Sequence, residues 1–224
     1  MPNAGVLVDV DGTLVDSNYH HTLAWSRALR DHDQHARLAA IHRLVGMGSS
    51  ELLTELGIRG DHDAITCSWR THFDRLLPEV VAFAGAAELL RGMQALGLTV
   101  VLATSSPEDL LDALRAKIDG DDAVDVVVAA DDVEQAKPHP DIFETALEQS
   151  GLDRECAIVV GDSVWDVEAA SRASLPCIGV ETGGFSRLEL EQAGAVQVCV
   201  EPLDLLAHLD TSRISALAAS ARCR

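Results

Sequence analysis

Lysine is almost missing from this 224-residue chain: it occurs only at Lys117 and Lys137, although Lys and Arg together number 17. Positive charge is scarce altogether, since 36 Asp and Glu leave a formal net charge of −19. Such a field repels nucleic acid and anionic membrane. It repels phosphorylated molecules too, so any anion site must be built from local positive groups. Long apolar runs are also lacking. No stretch is long enough to span a membrane, and the short run Val6–Val8 passes straight into aspartates rather than forming a signal peptide. A cytoplasmic protein is expected. Paired cysteines are absent as well. Cys67, Cys156, Cys177, Cys199 and Cys223 are scattered, odd in number and form no C-x-x-C pair. That argues against a thiol nucleophile or zinc site, and fits small buried hydrophobes in a reducing compartment. Internal repeats and low-complexity linkers are not seen.

What the chain does have is apolar bulk, with 47% hydrophobic residues and a mean hydropathy of +0.11. That is enough for a sizeable core in one or two domains. Gly5–Val8, Thr99–Ala103, Val124–Ala130, Ala157–Val160, Cys177–Val180 and Val196–Val200 read as buried strands. Helical patterns fill the gaps between them, such as Ala86–Ala95, Leu110–Lys117, Asp141–Ser150 and Val167–Ala173. Strands alternating with helices predict an α/β fold with a doubly wound, Rossmann-like parallel sheet. The stretch from Ser17 to about Pro78 reads as helical throughout, with stripes at His21, Ala24, Trp25, Ala28, Leu29; at Leu38, Ile41, His42, Val45; and at Ile65, Trp69, His72, Phe73. It is too long for an ordinary connection, which predicts an inserted helical cap over residues 17–81. Residues 1–16 and 82–224 would then form the core. The Ala/Ser-rich tail Ser212–Arg224 is expected to be a loose helix or disordered.

The first strand ends in Asp9-Val10-Asp11-Gly12-Thr13. Two carboxylates two residues apart face the same side of an extended segment. Burying both is unfavourable unless a proton or a cation sits between them, and a hard divalent ion such as Mg²⁺ suits oxygen ligands. An ordinary turn at Asp11-Gly12 is the plainer alternative. With average residue usage the pattern arises by chance on the order of 10⁻³ per chain. Other strand ends carry Thr104-Ser105, Asp131-Asp132, and Asp162 with Asp166. In a parallel sheet these ends share one edge. Lys137 follows the third strand, and Pro138 and Pro140 set it beside a helix start, a natural anion site. Each piece has a structural alternative: an N-cap for Thr104-Ser105-Ser106, a solvated surface for Lys137, a helix start for Asp162 and Asp166, and a solvated loop for Asp131-Asp132.

In this order and spacing, the motifs resemble those of the haloacid dehalogenase-like hydrolase superfamily, in the subfamily with a helical cap inserted after the first motif. The resemblance covers nearly the whole chain: Asp9-Val10-Asp11-Gly12-Thr13, then Thr104, then Lys137, then Gly161-Asp162-Ser163-Val164-Trp165-Asp166. It implies that Asp9 is the nucleophile, forming an aspartyl-phosphate, and that Asp11 first protonates the leaving oxygen and then activates water. It implies that Thr104, with Ser105 beside it, and Lys137 hold the phosphoryl oxygens. Asp162 would bind Mg²⁺ with Asp9 and the Asp11 carbonyl, supported by Asp166. For such a cycle Asp11 should be protonated when phosphate arrives, so its pKa is expected to lie above that of Asp9.

Departures from related families narrow the expected reaction. Dehalogenases of this superfamily lack the second aspartate, whereas Asp11 is present. Phosphonoacetaldehyde hydrolases need a cap lysine, and residues 17–85 contain none. Tyr19, His21, Ala24 and Trp25 look like the start of a β-phosphoglucomutase cap. The cap loop around Gly46 and Gly48, however, carries Val45 and Ser49 where the mutase grips a second phosphate, and Arg43 is the nearest cation. The expectation is a Mg²⁺-dependent phosphatase for a small phosphorylated metabolite, a sugar phosphate or phosphoglycolate-like ester, with a phosphosugar mutase as the alternative. His21 and Arg43 are the cap candidates for substrate contact, each balanced against a structural or surface role. His20 is assigned to structure.

Overall fold

The computed structural model describes residues 3–222. Its framework is a six-stranded, wholly parallel sheet: β1 (Gly5–Val8), β2 (Thr99–Ala103), β3 (Val126–Val128), β4 (Ala157–Gly161), β5 (Cys177–Val180) and β6 (Gln197–Cys199). The spatial order is β3-β2-β1-β4-β5-β6. Period-two alternation divides the strands between two apolar layers. Val6, Val8, Val100, Leu102, Ile158 and Val160 pack on one face, while Leu7, Val101, Ala103 and Val159 pack on the other. Both faces are covered, which is why these segments read as unbroken apolar runs rather than alternating ones. Each fully buried Val or Leu contributes on the order of 1.5–3 kcal/mol.

Four helices follow β1 before the chain returns to the sheet layer: α1 (Asn18–Asp31), α2 (Leu38–His42), α3 (Ser49–Glu55) and α4 (His62–Leu76). The apolar stripes of α1 and α4 meet through Trp25, Leu29, Trp69 and Phe73. The chain enters and leaves this group by two connections that run side by side. Asp16 N–H donates to the Val81 carbonyl at 2.9 Å, Phe83 N–H donates to Leu14, and Val15 bridges Ala82 in antiparallel fashion. The remaining helices flank the sheet: α5 (Ala86–Ala95), α6 (Glu108–Ile118), α7 (Asp141–Ser150), α8 (Val164–Arg172), α9 (Arg187–Ala193), α10 (Pro202–Ala207) and α11 (Arg213–Arg222). No helix of the described chain is long and apolar enough to cross a membrane.

Local differences from the sequence expectation have simple causes. The stripe from Leu38 to Val45 stops at His42, because Gly46 takes φ +100° and Val45 instead bridges Met47. The run Val124–Ala130 yields only three strand residues, since β3 is an edge strand paired to β2 alone and short 3-10 turns close both its ends. The tail forms helix α11 as far as Arg222, whereas Cys223 and Arg224 lie outside the described residues. Cys156, Cys177 and Cys199 are buried free thiols, and Cys67 is exposed.

Candidate active site

The sheet order reverses on either side of β1, and ligands of open α/β sheets bind at such a point, outside the carboxyl ends of the strands. The chain leaves β1 with Asp9 still on the sheet, its N–H donating to Val160 at 2.9 Å. It then turns at Gly12, where φ is +75°. Only glycine fits there, because an added Cβ would collide with the Asp162 carboxylate and the Asn18 amide. Gly183 is equally confined, since its Cβ would strike the same carboxylate.

Lys137 is the positive centre of this edge, and it is 1% exposed rather than solvated. Its Nζ stands 2.6 Å from Asp9 Oδ1 and 2.8 Å from Asp166 Oδ1, and it donates to the Ala103 carbonyl at 3.3 Å. Asp166 serves two purposes. Its Oδ2 accepts from the Ser163 N–H and Oγ in a capping box that starts α8, which leaves its other oxygen for the lysine. Asp162 accepts from Thr13 Oγ1 at 3.0 Å and from Asn18 Nδ2 at 2.8 Å. Oxygens of Asp9, Asp162 and Asp166 lie within 4.8 Å of one another, all buried. Three carboxylates face one ammonium, so two negative charges remain uncompensated if all are ionised. An all-oxygen donor set with excess buried charge fits a hard divalent cation. Because both Asp166 oxygens are engaged, Asp9 and Asp162 are the carboxylates left to hold it.

Asp11 sits in a different environment. Its Oδ1 accepts from Ser17 Oγ at 2.6 Å and lies 2.9 Å from His21 Nε2. Its Oδ2 accepts from Ser106 Oγ at 2.6 Å and, more distantly, from Thr104 Oγ1 at 3.5 Å. The proton affinities follow from these surroundings. Burial pushes Asp9 up most strongly, Lys137 pulls it back and Asp166 raises it again, leaving it at about 7. Asp162 is driven well above the usual carboxylate range by burial, then by Asp166 and Asp9. For Asp11 burial also acts upward, but the His21 imidazole and the Ser106 and Ser17 hydroxyls outweigh it and hold the group at about 2. Lys137 is raised despite its burial, because Asp166 and Asp9 stabilise its charged form. The expected order, Asp11 above Asp9, is therefore reversed in this arrangement. Donors crowd Asp11, while Asp9 shares one cation with a second carboxylate.

A cleft opens above these groups. Asp9, Asp11, Thr104 and Ser105 line its floor, and His21, Trp25, Val45, Met47, Leu52 and Trp69 line its walls. No described lysine or arginine lines it. Thr104 is no helix cap: its Oγ1 accepts from the Ser106 N–H two residues on, and α6 starts later, after Pro107. Ser105 lies in the lining, but its Oγ donates to the Gly46 carbonyl of the α2–α3 loop at 3.2 Å. His21 is buried, stacked 4.1 Å from the Phe73 ring, and reaches Asp11. The structure does not bring Arg43 to the cleft. Its guanidinium pairs with Glu189 at 2.6 Å and lies 4.0 Å over the Phe185 ring. Asp131 and Asp132 are exposed and accept backbone N–H groups of Glu108 and Ala129.

Sequence reasoning missed Thr13, Ser17, Asn18, Ser106 and Thr182. The last donates to the Gly12 carbonyl. A signal existed for Ser17: it precedes α1 as a cap residue would, yet its side chain caps nothing and is free for Asp11. Asn18 reaches Asp162 across 144 positions of sequence, a distance no local pattern spans.

Comparison with known proteins agrees with this geometry. A family model for haloacid dehalogenase-like hydrolase matches residues 4–174. A validoxylamine A 7'-phosphate phosphatase from Streptomyces hygroscopicus subsp. limoneus is 30% identical over 189 residues, covering 79% of this chain and 84% of the relative. A phosphoglycolate phosphatase from Rhodospirillum rubrum is 32% identical over 212 residues, covering 88% and 87%. Among solved structures, a hydrolase from Pseudomonas syringae superposes with a TM-score of 0.88 at 33% identity, covering 93% of this chain and 99% of that one.

Proposed function

Because the chain belongs to the haloacid dehalogenase-like hydrolases, we propose that it hydrolyses a small phosphate monoester by transferring the phosphoryl group first to Asp9 and then to water. Residues 1–16 and 82–224 act as the catalytic core, and residues 17–81 as a cap over the cleft. The observation that carries this proposal is the buried Asp9–Lys137 pair at the sheet's switch point, 2.6 Å apart. A carboxylate attacks a phosphate dianion poorly, because like charges repel. Lys137 offsets that repulsion and fixes Asp9 in place, while Thr104 supplies a hydroxyl to the phosphoryl oxygens. Covalent transfer divides the reaction into two easier displacements.

Asp11 is the proton carrier for the leaving oxygen and then for the attacking water. In the absence of substrate it is ionised, held so by His21, Ser17 and Ser106. An arriving phosphate dianion places negative charge beside it and raises its proton affinity, so that it takes up the proton it later delivers. Asp9, Asp162 and the Asp11 carbonyl are the ligands assigned to Mg²⁺, with Asp166 keeping Lys137 in register. The ion, when bound, supplies charge neutralisation at the transferring oxygens.

Hydrolysis is favoured over mutase chemistry because a mutase must grip a second phosphate, and the described cleft lining holds no lysine or arginine for that purpose. The relatives named phosphatases support the same choice. The test is a screen of phosphorylated metabolites together with p-nitrophenyl phosphate, in Mg²⁺ and in EDTA. Asp9→Asn is expected to lower turnover about 10³-fold or more, and EDTA to abolish it. Full activity of the Asp9→Asn protein would falsify the proposal.

A further inference from the structure

The loop Arg43–Gly48 between α2 and α3 stands out in the sequence for its two glycines, yet it brings no cation to the cleft. It is fastened to the core through its backbone instead. Trp165 Nε1, on α8, donates to the Arg43 carbonyl at 3.0 Å, and Ser105 Oγ donates to the Gly46 carbonyl at 3.2 Å. The glycines mark where the loop touches the core. An added Cβ at Gly46 would come 3.2 Å from Ser163 Oγ, and one at Gly48 would overlap Ala136. The loop therefore bears on Ser105, on the neighbour of Lys137, and on the turn between Asp162 and Asp166. Val45 and Met47, at its centre, line the cleft. With the loop so placed Asp9 is buried, and an ester needs an opening to reach it.

Two parts of the helical insert are held with different firmness. At its root, Ser17, Asn18 and His21 bond to the carboxylates of Asp11 and Asp162. A swing of the whole insert would pull donors from both acids, and hydrogen bonds to charged groups are roughly twice as strong as neutral ones. The loop is held by two bonds to neutral carbonyls and by the half-exposed Arg43–Glu189 pair, which adds little. Ile41 and Leu52 are buried on either side of it, and Gly46 and Gly48 supply backbone freedom between them.

We propose that this loop, rather than the whole insert, is the lid of the cleft, and that Trp165 is the positioning residue that latches it. Opening breaks the bond from Nε1 to the Arg43 carbonyl and lifts Val45 and Met47; closing restores both. Trp165 does not line the cleft, so it acts through the loop. It suits that task because the turn that carries it is fixed by the Ser163–Asp166 capping box, which also directs Asp166 to Lys137. The lid thus closes in register with the reacting groups. Its role in turnover rests on the phosphatase activity proposed above, whereas the latch is measurable without turnover.

Trp165→Phe keeps a ring and removes the donor. In hydrogen exchange read by mass spectrometry, amides of residues 44–48 should exchange about fivefold faster, while β1, β4 and α1 keep their wild-type rates. A general structural role for Trp165 would instead raise exchange throughout. For turnover, the loop is locked shut. Cβ atoms at positions 46 and 163 lie 3.6 Å apart, inside the roughly 3.5–4.5 Å of disulfides, so Gly46→Cys with Ser163→Cys is expected to bridge on oxidation. The bridged protein should lose about tenfold or more in kcat/KM on p-nitrophenyl phosphate with Mg²⁺, and a reductant should restore it. The wild-type chain in the same oxidant is the control for its own thiols. Unchanged exchange in Trp165→Phe, or a rise shared by α1, overturns the latch. Equal turnover of the bridged and reduced forms overturns the lid. If the wild-type chain turns over no ester, p-nitrophenyl phosphate included, the phosphatase activity fails, and the exchange rates still decide the latch.

Discussion

The strand-end side of the cleft is built from buried charge, and the helical side from rings. On the first side every ionic group has a named partner: Lys137 on Asp9 and Asp166, Thr13 and Asn18 on Asp162, Ser17, His21 and Ser106 on Asp11. On the second side the contacts are stacked planes, and one indole N–H is left without a partner. The division separates two tasks. In the proposed reaction, the first side supplies the charged groups of phosphoryl transfer, and the second meets the rest of the substrate. A site on strand ends is positioned more precisely than one on loops, which suits the group whose geometry matters most.

If that division holds, disturbing the two sides should have very different effects. The largest is expected from Lys137→Met. It strands the buried carboxylates of Asp9 and Asp166 without their cation, and breaking a buried pair of this kind destabilises by about 3–5 kcal/mol. A urea or thermal melt would measure it, and a loss below about 1 kcal/mol would show that the cluster is not the buried ionic unit described. Next in size is the response to pH and Mg²⁺. Asp9 titrates near 7 when folded against 3.8 in its ordinary state, and Asp162 shifts the same way. The folded protein therefore holds these protons more tightly than the unfolded chain. That contribution is complete below pH 3.8 and is lost as pH rises through 7. In EDTA, Tm should fall between pH 5 and pH 8. Mg²⁺ at about 100 times its Kd should restore roughly 5–10 °C at pH 8 and less at pH 5. A Tm indifferent to Mg²⁺ at pH 8 would remove Asp9 and Asp162 as its ligands. The smallest effect is expected on the helical side. Arg43→Ala breaks a half-exposed pair with Glu189 and should change stability by about 1 kcal/mol or less, with kcat/KM on p-nitrophenyl phosphate within about twofold. A tenfold drop would return Arg43 to the substrate.

The strand-end side was far more legible in the sequence than the helical side. Apolar runs ending in Asp9, Thr104 and Asp162 report strand ends directly, because both faces of a parallel sheet are buried and the run must stop where polar chemistry begins. Lys137 stood out because lysine is so scarce. Asn18 and Ser106 were not legible, since each acts across the fold rather than along the chain. The resting charge of Asp11 was not legible for a related reason. Its role suggested a proton-bearing acid, but His21, packed against Phe73, comes to 2.9 Å, and together with the Ser106 and Ser17 hydroxyls it outweighs burial. Arg43 was a candidate, weighed against a surface role, through its nearness in sequence to the glycine loop, whereas Glu189, far along the chain, decides where its guanidinium lies.

The two connections to the helices lie beside each other, with Asp16 hydrogen-bonded to Val81 and Val15 bridged to Ala82. Topologically, everything between them is a closed loop whose ends already touch. The molecule is thus a socket with a plugged-in fitting. The fitting is keyed as well as attached, because Ser17, Asn18 and His21 at its near end reach back to Asp11 and Asp162. A different insert could use the same two attachment points only if its first turn supplied equivalent donors.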